Sequence, residues 1–226
     1  MAIRVPRKRA DSYQHGDLRH ALIQAGLKLL SEGGVRELSL RAAAQLAGVS
    51  HAAPYRHFRD KDALIAAIAE EGFRRLTERM REEIETSGAT DIPGRLRASA
   101  RGYVTFAVEN PAYFRTIFSS APCETMPASL KAAGEEAYHV LRDLVVAGIE
   151  QGDLRPGAPD EVSLAMWSMV HGLSMLIIDE QVGPGISSNP AAIRHLTETL
   201  VTALHLGALA QPPKAPAPRA PRPPRR

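Results

Sequence analysis

Residues 49–58 read VSHAAPYRHF, with Tyr55, Arg56 and His57 directly behind the small pair Ala52 and Ala53. A phenol, a guanidinium and an imidazole in succession can donate hydrogen bonds to oxyanions, most simply to phosphates. Small side chains beside them let a backbone approach base edges and leave room for a thymine methyl. Phe58 and one face of Tyr55 read as core rather than contact. The chemistry open to this stretch is recognition of a polyanion, not bond making.

Chemistry of the bond-making kind finds little support elsewhere. The chain has no Gly-x-Ser-x-Gly, no His-Glu-x-x-His, no P-loop and no Gly-x-Gly-x-x-Gly. The single cysteine, Cys123, stands beside Glu124, which disfavours a thiolate, and by itself it excludes an intramolecular disulfide. No pair of histidines with carboxylates has metal-ligand spacing. The expectation is therefore no catalytic residue, no metal and no cofactor. A second constellation is apolar. Trp167 and His171 lie four apart, on one helix face. With Tyr103, Phe106, Phe114, Phe118, Met126 and Tyr138 they could line a pocket for a small, largely apolar molecule. A stripe of this sort is more often plain core, and a buried histidine needs only a hydrogen-bond partner.

The net charge of +3 hides a division. Residues 1–10 carry +4 and residues 211–226 carry +5, so residues 11–210 sum to −6. Basic ends on a mildly acidic body suit a polyanion such as DNA, or serve only as solubilising tails. The tail, QPPKAPAPRAPRPPRR, holds seven prolines and reads as disordered, as does the arm 1–12. No apolar segment follows the basic start, so no signal peptide is expected, and a cytoplasmic location fits. The run 162–178 contains three serines, a histidine and a glycine, and reads as a buried helix rather than a membrane span.

The segments that must position these residues have helical period throughout, with no convincing strand, so the fold class is all-α. The first helix spans roughly 17–32 and ends at Gly33-Gly34. The second, 40–46, is capped by Ser39. AGVS (47–50) turns the chain into a third short helix reaching Phe58. These are the parts of a helix-turn-helix, at about 39–58. Ser50 or His51 is placed to cap the third helix, which puts Pro54 near its start. There a missing N–H costs little, because the first amides of a helix have no intrahelical partner. Pro54 would then stiffen the turn that enters a groove. A fourth helix begins after Asp60-Lys61-Asp62 and runs to about Thr86. Helices follow over 93–109, 112–118, 128–151, 160–180 and 190–209, the last with Ile193, Leu196, Leu200 and Leu204 on one face. The organisation is an arm (1–12), a head (13–62), a helical body (63–210) and a tail (211–226).

On these residues the chain resembles a known family. The run from HGDLRHALIQAG through LSLRAAAQLAGVSHAAPYRHFRDKDALIAAIAEEG is similar, over about 60 residues, to the DNA-binding head of TetR-family regulators. The second half, with Trp167, His171 and Gly172, resembles a C-terminal subtype named for a Trp–His–Gly signature. The resemblance implies a homodimer that reads palindromic double-stranded operator DNA, binds a small effector in its body and leaves the DNA when the effector binds. It implies that the last two helices pair with their copies, which makes Ile193, Leu196, Leu200 and Leu204 candidate interface residues. Arg41, Ser50, His51, Tyr55, His57 and Lys61 match DNA-touching positions. With Ser39, Ala52, Ala53 and Arg56 they form the candidate DNA surface. Most members carry threonine or leucine where Ala53 and Pro54 stand, so base contacts made by those side chains do not transfer. The alternative is a helical small-molecule-binding protein whose head no longer reads DNA.

Overall fold

The computed structural model describes residues 15–119 and 126–209, the side chains of 15–17 and 204–209 aside. The basic arm, the proline-rich tail, Cys123 and the Leu204 side chain lie outside the described residues. Within them the chain folds as eight α-helices: α1 His15–Glu37, α2 Leu40–Leu46, α3 Lys61–Thr86, α4 Ile92–Glu109, α5 Pro111–Ser119, α6 Ala128–Gln151, α7 Pro159–Ile178 and α8 Pro190–Leu209. Two one-turn 3-10 helices, Ala53–Arg56 and Ile186–Ser188, complete them.

Local chemistry explains most boundaries. The Ser39 and Asp60 side chains accept from the Ala42 and Ala63 amides and cap α2 and α3. Asp91 does the same for α4 through Gly94 N–H. Regular helix in α1 stops at Gly34, whose φ of 67° and ψ of −164° only glycine adopts readily. A short displaced turn then carries the chain to Glu37, one turn beyond the expected end. After α2, Gly48 takes φ 71°, its N–H bonds to the Gln45 carbonyl, and Val49 N–H bonds to the Ala44 carbonyl. This is a Schellman stop, and it sets the angle between α2 and the next turn.

The third element differs from the expected helix. It is a single 3-10 turn whose N-cap is Ala52, in helical backbone and without a side-chain cap bond. Neither Ser50 nor His51 caps it, and the Ser50 carbonyl closes a turn by accepting from Ala53 N–H. The Pro54 carbonyl accepts from both His57 and Phe58 amides, which ends the element after one turn. The Pro54 ring is fully buried beside Phe58 in the head core. So the proline anchors the turn from inside and does not face the surface, whereas Tyr55, expected half in the core, is exposed.

One hydrophobic core runs from Leu22 and Ile23 of α1, through Leu64, Ile68, Leu76 and Met80 of α3, to Ile177 and Val201 of α7 and α8. A smaller cluster at the other end of the body joins Ile92, Leu96, Leu144, Val145, Leu154 and Met166. α3 packs on α1, α4, α5 and α6, and α4 packs on α7 and α8. α7 is not the fully buried helix expected, because it leaves Leu164, Met169 and Leu176 exposed.

The tightest crossing is between α3 and α4. A Cβ on Gly102 would lie 2.7 Å from the Met80 Cα and 2.8 Å from the Arg79 carbonyl oxygen. Backbone cannot yield as a side-chain tip can. Gly102→Ala is expected to destabilise the fold by about 1–3 kcal/mol through overpacking. A urea midpoint unchanged from the parent chain would show that the two helices can separate at no cost.

Candidate functional sites in the head and the body

The head displays the candidate DNA surface on two short elements. Arg41 lies on α2, with Leu40, Ala43 and Ala44 turned inward. Ser50, His51, Ala52, Tyr55 and Arg56 are exposed on the connecting turn, while Ala53 and His57 are half-buried. The inward residues, Pro54 and Phe58, fix the turn against α1, where the Arg19 guanidinium lies 5.7 Å from the Phe58 ring centre. Ser39 is exposed, but its hydroxyl already accepts the Ala42 N–H as the α2 cap.

Lys61 is the first residue of α3, and its ammonium donates to the Val35 carbonyl at 3.1 Å. This bond ties the displaced turn of α1 to the start of α3. The α3 N-terminus itself is less open to phosphate than its amides suggest, because the Asp60 carboxylate holds the Ala63 N–H at 2.8 Å. That bond, with the Arg59 guanidinium beside it, lowers the Asp60 pKa, so the carboxylate stays ionised and repels a second anion there.

Between head and body stands a polar joint absent from the expectations. Gln24 of α1 donates to the Tyr113 hydroxyl of α5 at 3.0 Å, and that hydroxyl donates to Glu71 of α3 at 3.0 Å. Arg75 donates to the same Glu71 carboxylate at 2.6 Å and lies over the Tyr113 ring. Burial is the main cause that pushes the Tyr113 hydroxyl up to about 12. The signal in the sequence was Glu71, an acid beside the apolar stripe of α3, next to Gly72. A Cβ on Gly72 would press on Ile117 of α5, which is how closely the helices meet there.

The body encloses a cavity of about 320 Å³ between α3, α4, α5, α6 and α7, with Val201 of α8 at its edge. Five of the eight expected residues line it: Tyr103, Phe118, Met126, Tyr138 and Trp167. Phe106 and Phe114 are buried in the core and do not reach it. His171 lies behind the wall, stacked on Phe114 with ring centres 5.3 Å apart and edge-on to Phe118 at 4.5 Å. Leu76, Met80, Met166 and Phe73 also line the cavity and were not singled out, because any of them reads as ordinary core until the helices are assembled. At its edge Lys131 and Glu135 pair with each other at 3.7 Å. Among the described residues no group of three or more His, Cys, Asp or Glu side chains could hold a metal ion.

A neutral polar chain backs this cavity. Trp167 Nε1 donates to the Tyr103 hydroxyl at 3.0 Å, and that hydroxyl meets His171 Nδ1 at 3.0 Å. The hydroxyl accepts from the indole, and the tautomer of the neutral imidazole sets the direction of its bond with Nδ1. Burial pushes the Tyr103 hydroxyl far above its ordinary value and holds His171 below its own.

An all-helical chain with a helix-turn-helix head and a hollow helical body defines a class: a DNA-binding regulator. Comparison with known proteins gives the family. Residues 22–68 match the family described as "Bacterial regulatory proteins, tetR family", and residues 96–205 match "Tetracyclin repressor-like, C-terminal domain". The chain belongs to the TetR family of transcriptional regulators. Solved structures agree in fold. A Rhodococcus sp. RHA1 protein of unknown function is 29% identical, with a TM-score of 0.73 over 86% of this chain and 99% of that one. The TetR-family regulator PfmR of Thermus thermophilus is 21% identical, with a TM-score of 0.63 over 84% and 99%. The fatty acid degradation regulator FadR of Bacillus halodurans is 15% identical, with a TM-score of 0.67 over 88% and 100%.

The depressed His171 makes stability depend on pH. The folded chain favours neutral imidazole, so the contribution is fully present above the ordinary histidine value of about 6.5. As pH falls through that value the unfolded chain takes up the proton first, and the contribution is lost on the way down to the folded value. Thermal melts from pH 8 to 5 should show a falling Tm below about pH 6.5. His171→Gln should flatten that part of the curve, and an identical slope in the variant would assign the effect to other groups.

Proposed function

We propose that this chain is a homodimeric repressor that reads a palindromic operator and is released from it by a small, largely apolar effector. Its place of action is the cytoplasm. One observation carries the reading: the apolar cavity of the body reaches the head through α5. Ile117 and Phe118 line the cavity, and one turn earlier on the same helix Tyr113 bonds Gln24 of α1 and Glu71 of α3. An occupant that displaces α5 therefore acts on the bonds that hold α1. The head comprises 13–62 and the body 63–210. The body also fits the Trp–His–Gly subtype, since Trp167 and His171 meet at one tyrosine hydroxyl.

The candidate DNA set stays as read from the sequence, with Arg41, His51, Tyr55 and Arg56 the most freely presented. Fluorescence anisotropy against the chain's own upstream intergenic DNA and a scrambled control, at two salt concentrations, tests readout. Binding to the native fragment should survive the higher salt. Arg41→Ala and Lys61→Ala should each weaken binding across sequences and lower the salt slope by about 1. Equal, salt-sensitive binding of both fragments would favour a ligand-binding protein whose head no longer reads DNA.

For the dimer we take the exposed face of α7 as the leading candidate surface. Ile193 is buried in its own chain, and Leu196 and Leu200 are half-buried. The available apolar face is on α7, where Leu164, Met169 and Leu176 are 53%, 39% and 47% exposed. Gly172 lies among them, and a Cβ there would meet nothing within 4 Å. Leu176→Glu is expected to give monomers by light scattering. A variant that stays dimeric would move the interface off α7.

A further inference from the structure

A second cleft, of about 250 Å³, opens between the later turns of α3, the second half of α4 and the start of α8. Its character is opposite to that of the body cavity. Arg79, Arg101 and Arg194 line it together with Glu83 and Glu109, Glu82 and Glu198 stand beside the first two guanidiniums, and Thr105, Ser187, Ser188 and Thr197 add hydroxyls.

The guanidiniums there are poorly satisfied. Arg101 is only 19% exposed, yet its nearest carboxylate oxygens, on Glu83 and Glu198, stand 3.6 Å away. Arg79 lies 3.5 Å from Glu83 and 4.0 Å from Glu109, and its one closer contact is Glu82 at 3.2 Å. Its Nε is buried and, among the described residues, has no hydrogen-bond partner. Arg194 is exposed and in no ion pair among the described residues. Elsewhere the same chain makes tight pairs: Arg115 with Asp179 at 2.6 Å, Arg142 with Asp160 at 2.7 Å and Arg81 with Glu136 at 2.8 Å. A charge-assisted bond is about 2.7–2.9 Å long, so the cleft arginines hold donors that their own carboxylates do not fill. A buried donor without an acceptor is costly, and an oxyanion with two or three oxygens is the group that fits several guanidiniums at once.

We propose that this cleft is a second ligand site, for a small hydrophilic oxyanion: a carboxylate or a phosphate ester. Arg101 and Arg79 form its floor and Arg194 its rim. The serine hydroxyls of the turn before α8 meet the polar remainder of the ligand. Such an anion would join α8 to α3 and α4.

The test titrates the full-length protein by calorimetry with inorganic phosphate and, separately, with succinate, at neutral pH in low chloride. At least one anion should bind saturably with a Kd below about 1 mM. Binding to phosphate alone assigns the ester class, and binding to succinate alone assigns the carboxylate class. Arg194→Met, at an exposed position that the fold does not need, should weaken binding about tenfold, and Arg101→Met at least as much. Glu109→Gln, which removes a competing carboxylate, should tighten it about threefold. The site is overturned if neither anion binds saturably or if binding survives both methionine variants. It is equally overturned if binding is lost in Arg41→Ala, which would place the anion on the head.

Discussion

Helix α3 must satisfy head and body with one continuous apolar stripe, and the rest of the molecule is arranged around that demand. Its 26 residues make a rod of about 39 Å. Leu64 and Ile68 close the head core against α1, where a Cβ on Gly26 would press on both. One turn beyond Ile68, Gly72 admits α5. Further on, Leu76 and Met80 meet α4 at the crossing where Gly102 lets the backbones touch. The same helix carries the body contacts along its later turns and, at its N-terminus, the Asp60 cap and the Lys61 bond that holds the end of α1.

Two buried polar clusters on and beside this rod are kept neutral or paired, each by a nameable cause, whereas the Arg79 Nε is left without a partner among the described residues. Glu71 has Arg75, Gln24 and Tyr113 about it, so its charge is both compensated and hydrogen-bonded. Tyr103, Trp167 and His171 instead satisfy one another without charge, the indole donating to the phenol and the phenol bonded to the imidazole. A cavity backed by neutral groups and walled by aromatic rings and methionines offers an ion no compensation, since its one lysine is paired to Glu135 at the edge. This is the physical reason for reading its occupant as apolar.

The head was legible because its determinants are local. Ser39 and Asp60 cap the helices they precede, Gly48 stops α2 with φ above zero, and the family motifs fall on these same residues. The place of Pro54 near the start of its element was legible, because sequence position fixes what a missing N–H costs, but not which way the ring points. The body was legible only as helices. Tyr103, Phe118, Tyr138 and Trp167 come together across four helices, and no spacing along the chain separates them from Phe106 and Phe114, which turn into solid core. Ile193 shows the same limit, since a stripe on α8 does not say which neighbour it meets. The arginines of the second cleft are more distant still, separated by 22 and 93 residues in sequence.

Helix α4 is where the two body sites become one mechanical problem. Ser99, Ala100 and Tyr103 turn toward the apolar cavity, while Arg101, Thr105 and Glu109 turn toward the charged cleft. Gly102, between them, is pressed on the α3 backbone, so α4 can neither move toward α3 nor carry a side chain there. α8 repeats the arrangement, with Val201 at the apolar cavity and Arg194 at the cleft. An occupant of either space thus acts on the same two helices from opposite sides. With α4 blocked at Gly102, the freer response is a shift of α8 along it. α8 packs on α7, whose apolar face is the one most exposed, so ligand chemistry in the body and pairing of two copies would share a helix contact.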